Sequence, residues 1–192
     1  MCGAYHTHLS SMHGWSERLE EWPEMAYGRD AFPASEVCTF RGNTGEVMRW
    51  GMVPKWSKEF DSKYPTHNAR IETVTEKPTF RDAWSQKQRC LIPMAGYYEW
   101  TGIKGSKTKW YITDKDTDGL VVAGLWSEWG AESKLSCTMI TRDADNYMSN
   151  VHHRMLGYLT PETAEAWVSG EMEINDLLNL EVPNVIYYPF ES

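Results

Sequence analysis

The start of the sequence, Met1-Cys2-Gly3, holds the most distinctive chemical group in the chain. Removal of Met1 ahead of the small Cys2 side chain leaves an α-amine and a thiol on adjacent carbons. With reference pKa values of about 8 and about 8.5, both are partly nucleophilic near neutral pH. Such a 1,2-aminothiol condenses with an aldehyde to an imine, and its thiol then closes a five-membered thiazolidine. Alternatively, the amine serves as base for its own thiol in attack on an amide. Taken alone, Cys2 reads most simply as an ordinary residue beside a start codon, so the chemistry must be sought in the rest of the chain.

Four further stretches gather polar groups beside turns or strand ends. They are Arg49-Trp50-Gly51-Met52-Val53-Pro54-Lys55-Trp56, His67-Asn68-Ala69-Arg70-Ile71-Glu72-Thr73, Ala95-Gly96-Tyr97-Tyr98-Glu99-Trp100 and Val151-His152-His153-Arg154-Met155. Each also has a plain structural reading. Trp50 and Trp56 could be core rings, and Arg70 with Glu72 a surface ion pair of small energetic weight. On a strand, Glu99 faces away from Tyr98 and Trp100. Adjacent His152 and His153 cannot both aim into one site.

These stretches need elements to position them. Ser16 to Met25 has Trp15, Leu19 and Trp22 at helical spacing and is predicted as a short helix ending near Pro23. Glu36–Arg41 and Glu46–Val53 are predicted strands of a hairpin around Gly42-Asn43-Thr44-Gly45. Thr79 to Gln86 has helical spacing through Phe80, Ala83 and Trp84. The runs Cys90–Met94, Tyr97–Thr101, Lys109–Thr113, Leu120–Trp126 and Leu135–Thr141 predict an antiparallel sheet or barrel-like core. Thr160-Pro161-Glu162 opens a helix running to about Val168, and Ile174–Leu180 is another. The fold class is α+β, strand-rich, with flanking short helices, in a single domain spanning residues 1–192.

A chain of 192 residues can bury a proper core, and its 41% hydrophobic and 24% charged content is ordinary for a globular domain. Ten Trp and ten Tyr are a rich content for a chain of this size; such rings fill a β-rich core or, where exposed, make stacking platforms. No window approaches a transmembrane span and no signal pattern opens the chain. Cys2, Cys38, Cys90 and Cys137 lack CxxC pairing and read as reduced thiols of a cytoplasmic protein. The net charge of −8 argues against a general duplex-DNA binder. From Arg49 to Lys109, however, twelve Lys or Arg stand against six Asp or Glu, while the remainder holds seven against twenty-one. Such a segment suits a focused groove for a polyanion, or a solvated face.

Met1-Cys2-Gly3, Asn68-Ala69-Arg70-x-Glu72-Thr73, Gly96-Tyr97-Tyr98-Glu99-Trp100 and His152-x-Arg154-Met155, in that order, resemble the SOS response-associated peptidase (SRAP) family. Arg49-Trp50-Gly51 with Pro54-x-Trp56, and the stretch around Phe32-Pro33-Ala34, are similar to further family segments. The resemblance runs from residue 1 to about residue 170. The sequence departs from the family at Ala4, commonly Arg, at Ser57, the second place of a Trp pair, and at Leu156, usually Pro. It also stops after Tyr187–Ser192, where the family's usual tail would follow.

The resemblance implies a protein that crosslinks itself to abasic sites in single-stranded DNA. Cys2 would capture the open-chain aldehyde as a thiazolidine, and Asn68 would hydrogen-bond the linkage. Glu99 would move protons during imine formation and ring closure, and His152 would assist sugar-ring opening or relay a proton. Arg70 would hold a flanking phosphate, with Arg154 also on the DNA. Trp56 would stack on a base while Lys55 and Lys58 track the backbone. The peptidase activity would be self-removal of Met1. No cofactor or metal is implied; the partner is single-stranded DNA with abasic sites, without a membrane, and the protein is expected to be a monomer. Three other readings compete. An amidotransferase-type N-terminal nucleophile hydrolase would need Arg-Gly and Asn-Gly-Glu loops that the sequence lacks. A zinc module of Cys2, His6, His8 and His13 matches no familiar spacing. A non-covalent single-strand binder would leave Cys2 idle and bind reversibly with strong salt dependence.

Overall fold

The computed structural model describes residues 2–8, 12, 14–61, 64–103, 105–181 and 184–191. Within them the strands are β1 (Tyr5–His6), β2 (Asp30–Ala31), β3 (Glu36–Phe40), β4 (Gly45–Trp50), β5 (Asn68–Arg70), β6 (Arg89–Met94) and β7 (Gly96–Ile103). They continue with β8 (Ser106–Asp114), β9 (Leu120–Trp129), β10 (Lys134–Asp143), β11 (Arg154–Leu156), β12 (Tyr158–Leu159) and β13 (Val185–Pro189). Three short helices are α1 (Arg81–Ser85), α2 (Pro161–Val168) and α3 (Ile174–Leu178). Among the described residues no helix is long and apolar enough to cross a membrane.

Strands β10, β4, β3, β6 and β9 pair in that order, and β9 pairs back onto β10, closing a five-stranded barrel. Closure removes the row of unpaired amides that an open sheet presents at its edges. The ten-residue β10 is its spine. One edge pairs antiparallel with β9 and then, at Asp143↔Arg154, with β11. The other edge takes β4 in parallel at Cys137↔Trp50 and then β5 in parallel at Met139↔Asn68 and Thr141↔Arg70. The predominantly antiparallel barrel is therefore mixed along this one edge. A second sheet, ordered β13-β8-β7-β1-β2, lies against it.

Two apolar clusters result. One joins the barrel to the helices through Phe40, Leu91, Leu125, Trp84, Trp167 and Leu177. The other fills the space between barrel and second sheet through Trp50, Ile92, Met139, Tyr97 and Ile112, and takes in Cys2. In α2, the Thr160 and Thr163 side chains form a reciprocal cap and Pro161 occupies the first turn, where its missing N–H costs nothing. Its buried face carries Ala164 and Trp167, whose Nε1 donates to the Cys90 carbonyl at 3.0 Å. Two buried guanidinium groups finish this side. Arg89 lies between the rings of Trp84 and Trp167, 4.3 and 4.6 Å from their centroids, and donates to the Met172 carbonyl. Arg142 donates to the carbonyls of Leu177, Leu178 and Leu180, at and just beyond the end of α3, where helix carbonyls lack the full set of intrahelical donors.

The hairpin over β3 and β4 forms in the expected place, with Phe40↔Gly45 closing the turn. Its second strand stops at Trp50 rather than Val53, because Gly51 at φ +124° turns the chain aside. The helix expected over Ser16–Met25 does not form. One turn, with Leu19 N–H donating to the Trp15 carbonyl, gives way to an extended stretch. Glu20 and Glu21 N–H groups both donate to Asn43, and Glu21 bridges to Thr44. Trp15 and Leu19 are buried as a helical spacing demands, yet hydrogen bonds to the hairpin replace those of a helix.

Candidate active site

The N-terminal segment runs antiparallel along β7 with Tyr5↔Tyr97, and the ladder continues as Tyr98 N–H donates to the Ala4 carbonyl at 3.0 Å. Followed toward the start of the chain, that register brings Cys2 level with the Glu99–Trp100 stretch. Cys2 is only 1% exposed. From the barrel side, β5 delivers Asn68, whose Nδ2 donates to the Cys2 carbonyl at 2.7 Å. The other amide atom, Asn68 Oδ1, is buried without a hydrogen-bond partner among the described residues. Two sheets thus meet at Cys2, one supplying Glu99 and the other Asn68.

Cys2, Tyr97, Glu99, Arg154 and Met155 line a crevice too narrow to admit a water molecule. The Cys2 Sγ lies 3.6 Å from the Ala4 carbonyl. Burial pushes the thiol well above its ordinary range, and the Glu99 charge raises it further. Burial likewise raises the Glu99 carboxyl. Thiolate and carboxylate therefore disfavour one another, and both groups are held toward their neutral forms.

His152 is half-buried at the start of the turn into β11. Its Nδ1 lies 3.0 Å from the Arg154 backbone nitrogen and 3.2 Å from the Arg154 carbonyl oxygen, so either tautomer of the neutral ring finds a partner there. Burial lowers its pKa from the usual histidine value. Its ring stacks on His153 at 4.3 Å, and His153 is exposed. Arg154, expected on DNA, is instead locked in the frame. Its guanidinium donates to both Glu72 carboxylate oxygens at 2.8 Å, to Asp143 and to the Thr141 carbonyl. It clamps β11 to β10 and to the turn after β5, and has no face left for a phosphate. Glu72 thereby pairs with Arg154, and Arg70 stays exposed at the end of β5.

Lys55, Trp56 and Lys58 are exposed on the loop after β4, and none of them lines the crevice. Trp56, 61% exposed, and Tyr64, 79% exposed, flank an open groove of about 430 Å³. A smaller cleft of about 220 Å³ adjoins it, with Arg49, Gly51, Thr66 and His67 in its wall and Asp61 and Tyr64 common to both. His67 precedes Asn68, so the clefts run from the exposed aromatics toward the Asn68 strand. The basic run does not make one face: Arg89 is buried, Arg49 is held by Asp61 and the Gly51 carbonyl, and Lys109 Nζ sits 3.7 Å over the Tyr98 ring. Of the zinc reading's residues, His6 Nδ1 meets Asp30 at 2.9 Å and His8 Nε2 meets the Asp118 carbonyl at 2.9 Å. Met1 and His13 lie outside the described residues. Among those described, no three His, Cys, Asp or Glu side chains converge as metal ligands.

Sequence reasoning missed two hydroxyls. Tyr97 shares the Glu99 face of β7, and its hydroxyl meets that of Tyr158, from β12, at 2.5 Å. Strand alternation could have placed Tyr97 beside Glu99; nothing local marks Tyr158. The open Tyr64 was missed as well, an exposed aromatic eight residues past Trp56.

A closed, mixed β-barrel that buries the second residue of its sequence between a carboxylate and an amide defines a protein built around its own N-terminal segment. The chain belongs to the SOS response associated peptidase (SRAP) family, whose profile matches residues 1–187. It is 35% identical over 136 residues to the abasic site processing protein YoaM of Bacillus subtilis, covering 68% of this chain and 59% of that protein. It is 33% identical over 174 residues to the abasic site processing protein HMCES of Xenopus tropicalis, covering 76% and 52%. The chain thus spans little more than half the length of these relatives. A crystal structure of a Bordetella bronchiseptica protein superposes over the full length of both chains with a TM-score of 0.83 at 25% identity. One from Bacteroides thetaiotaomicron gives 0.72 at 26% identity, covering 84% of this chain and 77% of its own.

Proposed function

We propose that this protein processes abasic sites in single-stranded DNA by capturing them covalently through Cys2. The observation that carries this reading is the burial of Cys2 beside Glu99 with its carbonyl held by Asn68. A residue so near a chain end is ordinarily solvated, and its enclosure among proton-handling groups suits a reagent better than a packing residue. Family membership and the names of the two relatives support the same substrate class.

In this reading Met1 is removed by the protein itself, which accounts for the peptidase name. The freed Cys2 amine adds to the C1′ aldehyde of the opened deoxyribose, and water leaves to give a protonated imine. The Cys2 thiol then passes its proton to Glu99 as sulfur bonds to the imine carbon, and the imine electron pair returns to nitrogen. The ring closes as a thiazolidine. Asn68 Oδ1 accepts a hydrogen bond from the linkage. His152, kept neutral by its surroundings at neutral pH, takes up a proton and passes it to the sugar. Arg70 holds a neighbouring phosphate, Trp56 stacks on a base, and Lys55 and Lys58 follow the backbone. The protein works as a single domain and a monomer in the cytoplasm, in keeping with its unpaired cysteines, and needs no cofactor.

Intact-protein mass spectrometry, before and after incubation with a single-stranded oligonucleotide carrying one abasic site, tests the reading. The expected result is a mass lacking Met1 and an adduct that survives denaturation, the adduct being absent with Cys2→Ala. Retained Met1 with no adduct would overturn it in favour of reversible strand binding.

A further inference from the structure

The Tyr97–Tyr158 hydroxyl pair is unexplained by the roles above. Both side chains are almost wholly buried, from different sheets, and their hydroxyls meet at 2.5 Å. Two hydroxyls carry two protons, and a contact between them uses one. When Tyr158 donates to Tyr97, the Tyr97 proton is left for a third group. Tyr97 lines the crevice that holds Cys2 and Glu99, and both tyrosines lie close enough to feel the charge of each.

We propose that Tyr97 is a catalytic residue that donates its hydroxyl hydrogen bond to the Cys2 sulfur as negative charge develops there, and that Tyr158 is the positioning residue that orients it. This rests on Cys2 being the nucleophile. Sulfur attack requires the thiol proton to move to Glu99, which leaves anionic sulfur in a crevice without water. An aligned donor in such a place stabilises charge without reorganisation, as backbone amides do for an oxyanion. Tyr97 keeps its own proton throughout; the S–H proton goes to Glu99, and the new bond joins sulfur to the imine carbon. Tyr158 acts only through Tyr97, fixing its hydroxyl by filling the acceptor lone pair. Of the other titratable groups nearby, among the described residues, Arg154 from β11 lines the crevice, while Tyr5 from β1 lies within electrostatic range of Cys2 and Asp145, ahead of β11, within that of Tyr158. Tyr5 is set edge-on to Trp50 rather than in the crevice wall. Arg154 is committed to Glu72 and Asp143.

The test is the rate of Cys2 alkylation by iodoacetamide between about pH 7 and 9, taken against Cys2→Ser, in the full chain and in Tyr97→Phe, Tyr158→Phe and the double variant; this rate follows the thiolate fraction without the thiol having to reach half-ionisation. A parallel single-turnover rate of adduct formation is measured with the abasic oligonucleotide. Tyr97→Phe is expected to slow both about tenfold. Tyr158→Phe should do the same to a smaller degree, and the double variant should match Tyr97→Phe, since both act on one hydrogen bond. Alkylation and adduct rates unchanged in both single variants, with only a lowered melting temperature, would reduce the pair to a packing contact and overturn the proposal. Should Tyr97→Phe fail to fold, Tyr158→Phe alone decides between these outcomes. Alkylation needs no DNA, so failure of the parent protein to form an adduct would count against the proposed function separately.

Discussion

The two apolar clusters of this molecule treat their buried polar groups in opposite ways. On the helical side, Arg89 and Arg142 are turned onto backbone carbonyls, with Arg89 held between two Trp rings of the apolar cluster. Between the sheets, Cys2, Glu99 and Tyr97 sit in equally tight packing but line one crevice, with the Tyr158 hydroxyl on that of Tyr97. Charge in the first region is committed to structure; in the second, burial holds the thiol and the carboxyl toward their neutral forms. Burial alone does not tell the two regions apart; what each buried group faces does, a backbone carbonyl in one and other titratable groups in the other.

Substitutions can break or sharpen this contrast. The largest effect is expected on the helical side: Trp167→Ala should cost about 3–5 kcal/mol in denaturant unfolding, from the lost ring and the stack on Arg89. Its adduct rate, measured where the variant is still folded, should be near that of the parent. Next, Arg154→Ala should cost about 2 kcal/mol, less than a fully buried pair because Asp143 and Glu72 can turn to water. It should also slow adduct formation by loosening β11, and an unchanged salt slope of DNA binding would distinguish that role from phosphate contact.

Arg70→Ala touches the other half of the contrast. Stability should stay within about 0.5 kcal/mol, while affinity for single-stranded DNA falls about five- to tenfold and the salt slope drops by less than one ion. Equal affinity for parent and variant across a salt titration would remove Arg70 from the DNA. The smallest effect should carry the reverse sign. Because burial raises the Glu99 carboxyl, the folded state holds its proton more tightly than the unfolded chain, and stability falls as pH rises through that window. Glu99→Gln should erase this slope, matching the parent near pH 4 and exceeding it at pH 8, while slowing adduct formation. A parent whose stability instead rises relative to Glu99→Gln between those pH values would show the carboxylate to be paired for structure.

Much of this was legible beforehand, for reasons that can be traced. Period-two alternation placed Glu99 opposite Tyr98 and Trp100, and the Gly42–Gly45 turn fixed the β3–β4 register. Thr160 and Pro161 marked the start of α2. The helix over Ser16–Met25 was not legible, because Trp15, Leu19 and Trp22 bury the same way whether their backbone bonds run within the segment or to Asn43. The role of Arg154 was hidden because its partners, Glu72 and Asp143, come from elements far apart in sequence. Asn68 beside Cys2 could be stated only from resemblance: the parallel pairing of β5 on β10 that brings it there leaves no trace in local pattern.

The spine strand β10 also constrains how the molecule can change. One edge sets the height of Asn68 and Arg70 through Met139 and Thr141, and the other sets Arg154 through Asp143. A residue inserted or deleted within Lys134–Asp143 would turn alternate side chains to the wrong face and slide both sets out of step together. Length variation is therefore expected to collect in the connections, such as the turn around Gly130–Ser133, while β10 accepts exchanges of residue type but behaves as a ruler whose graduations cannot be added or removed.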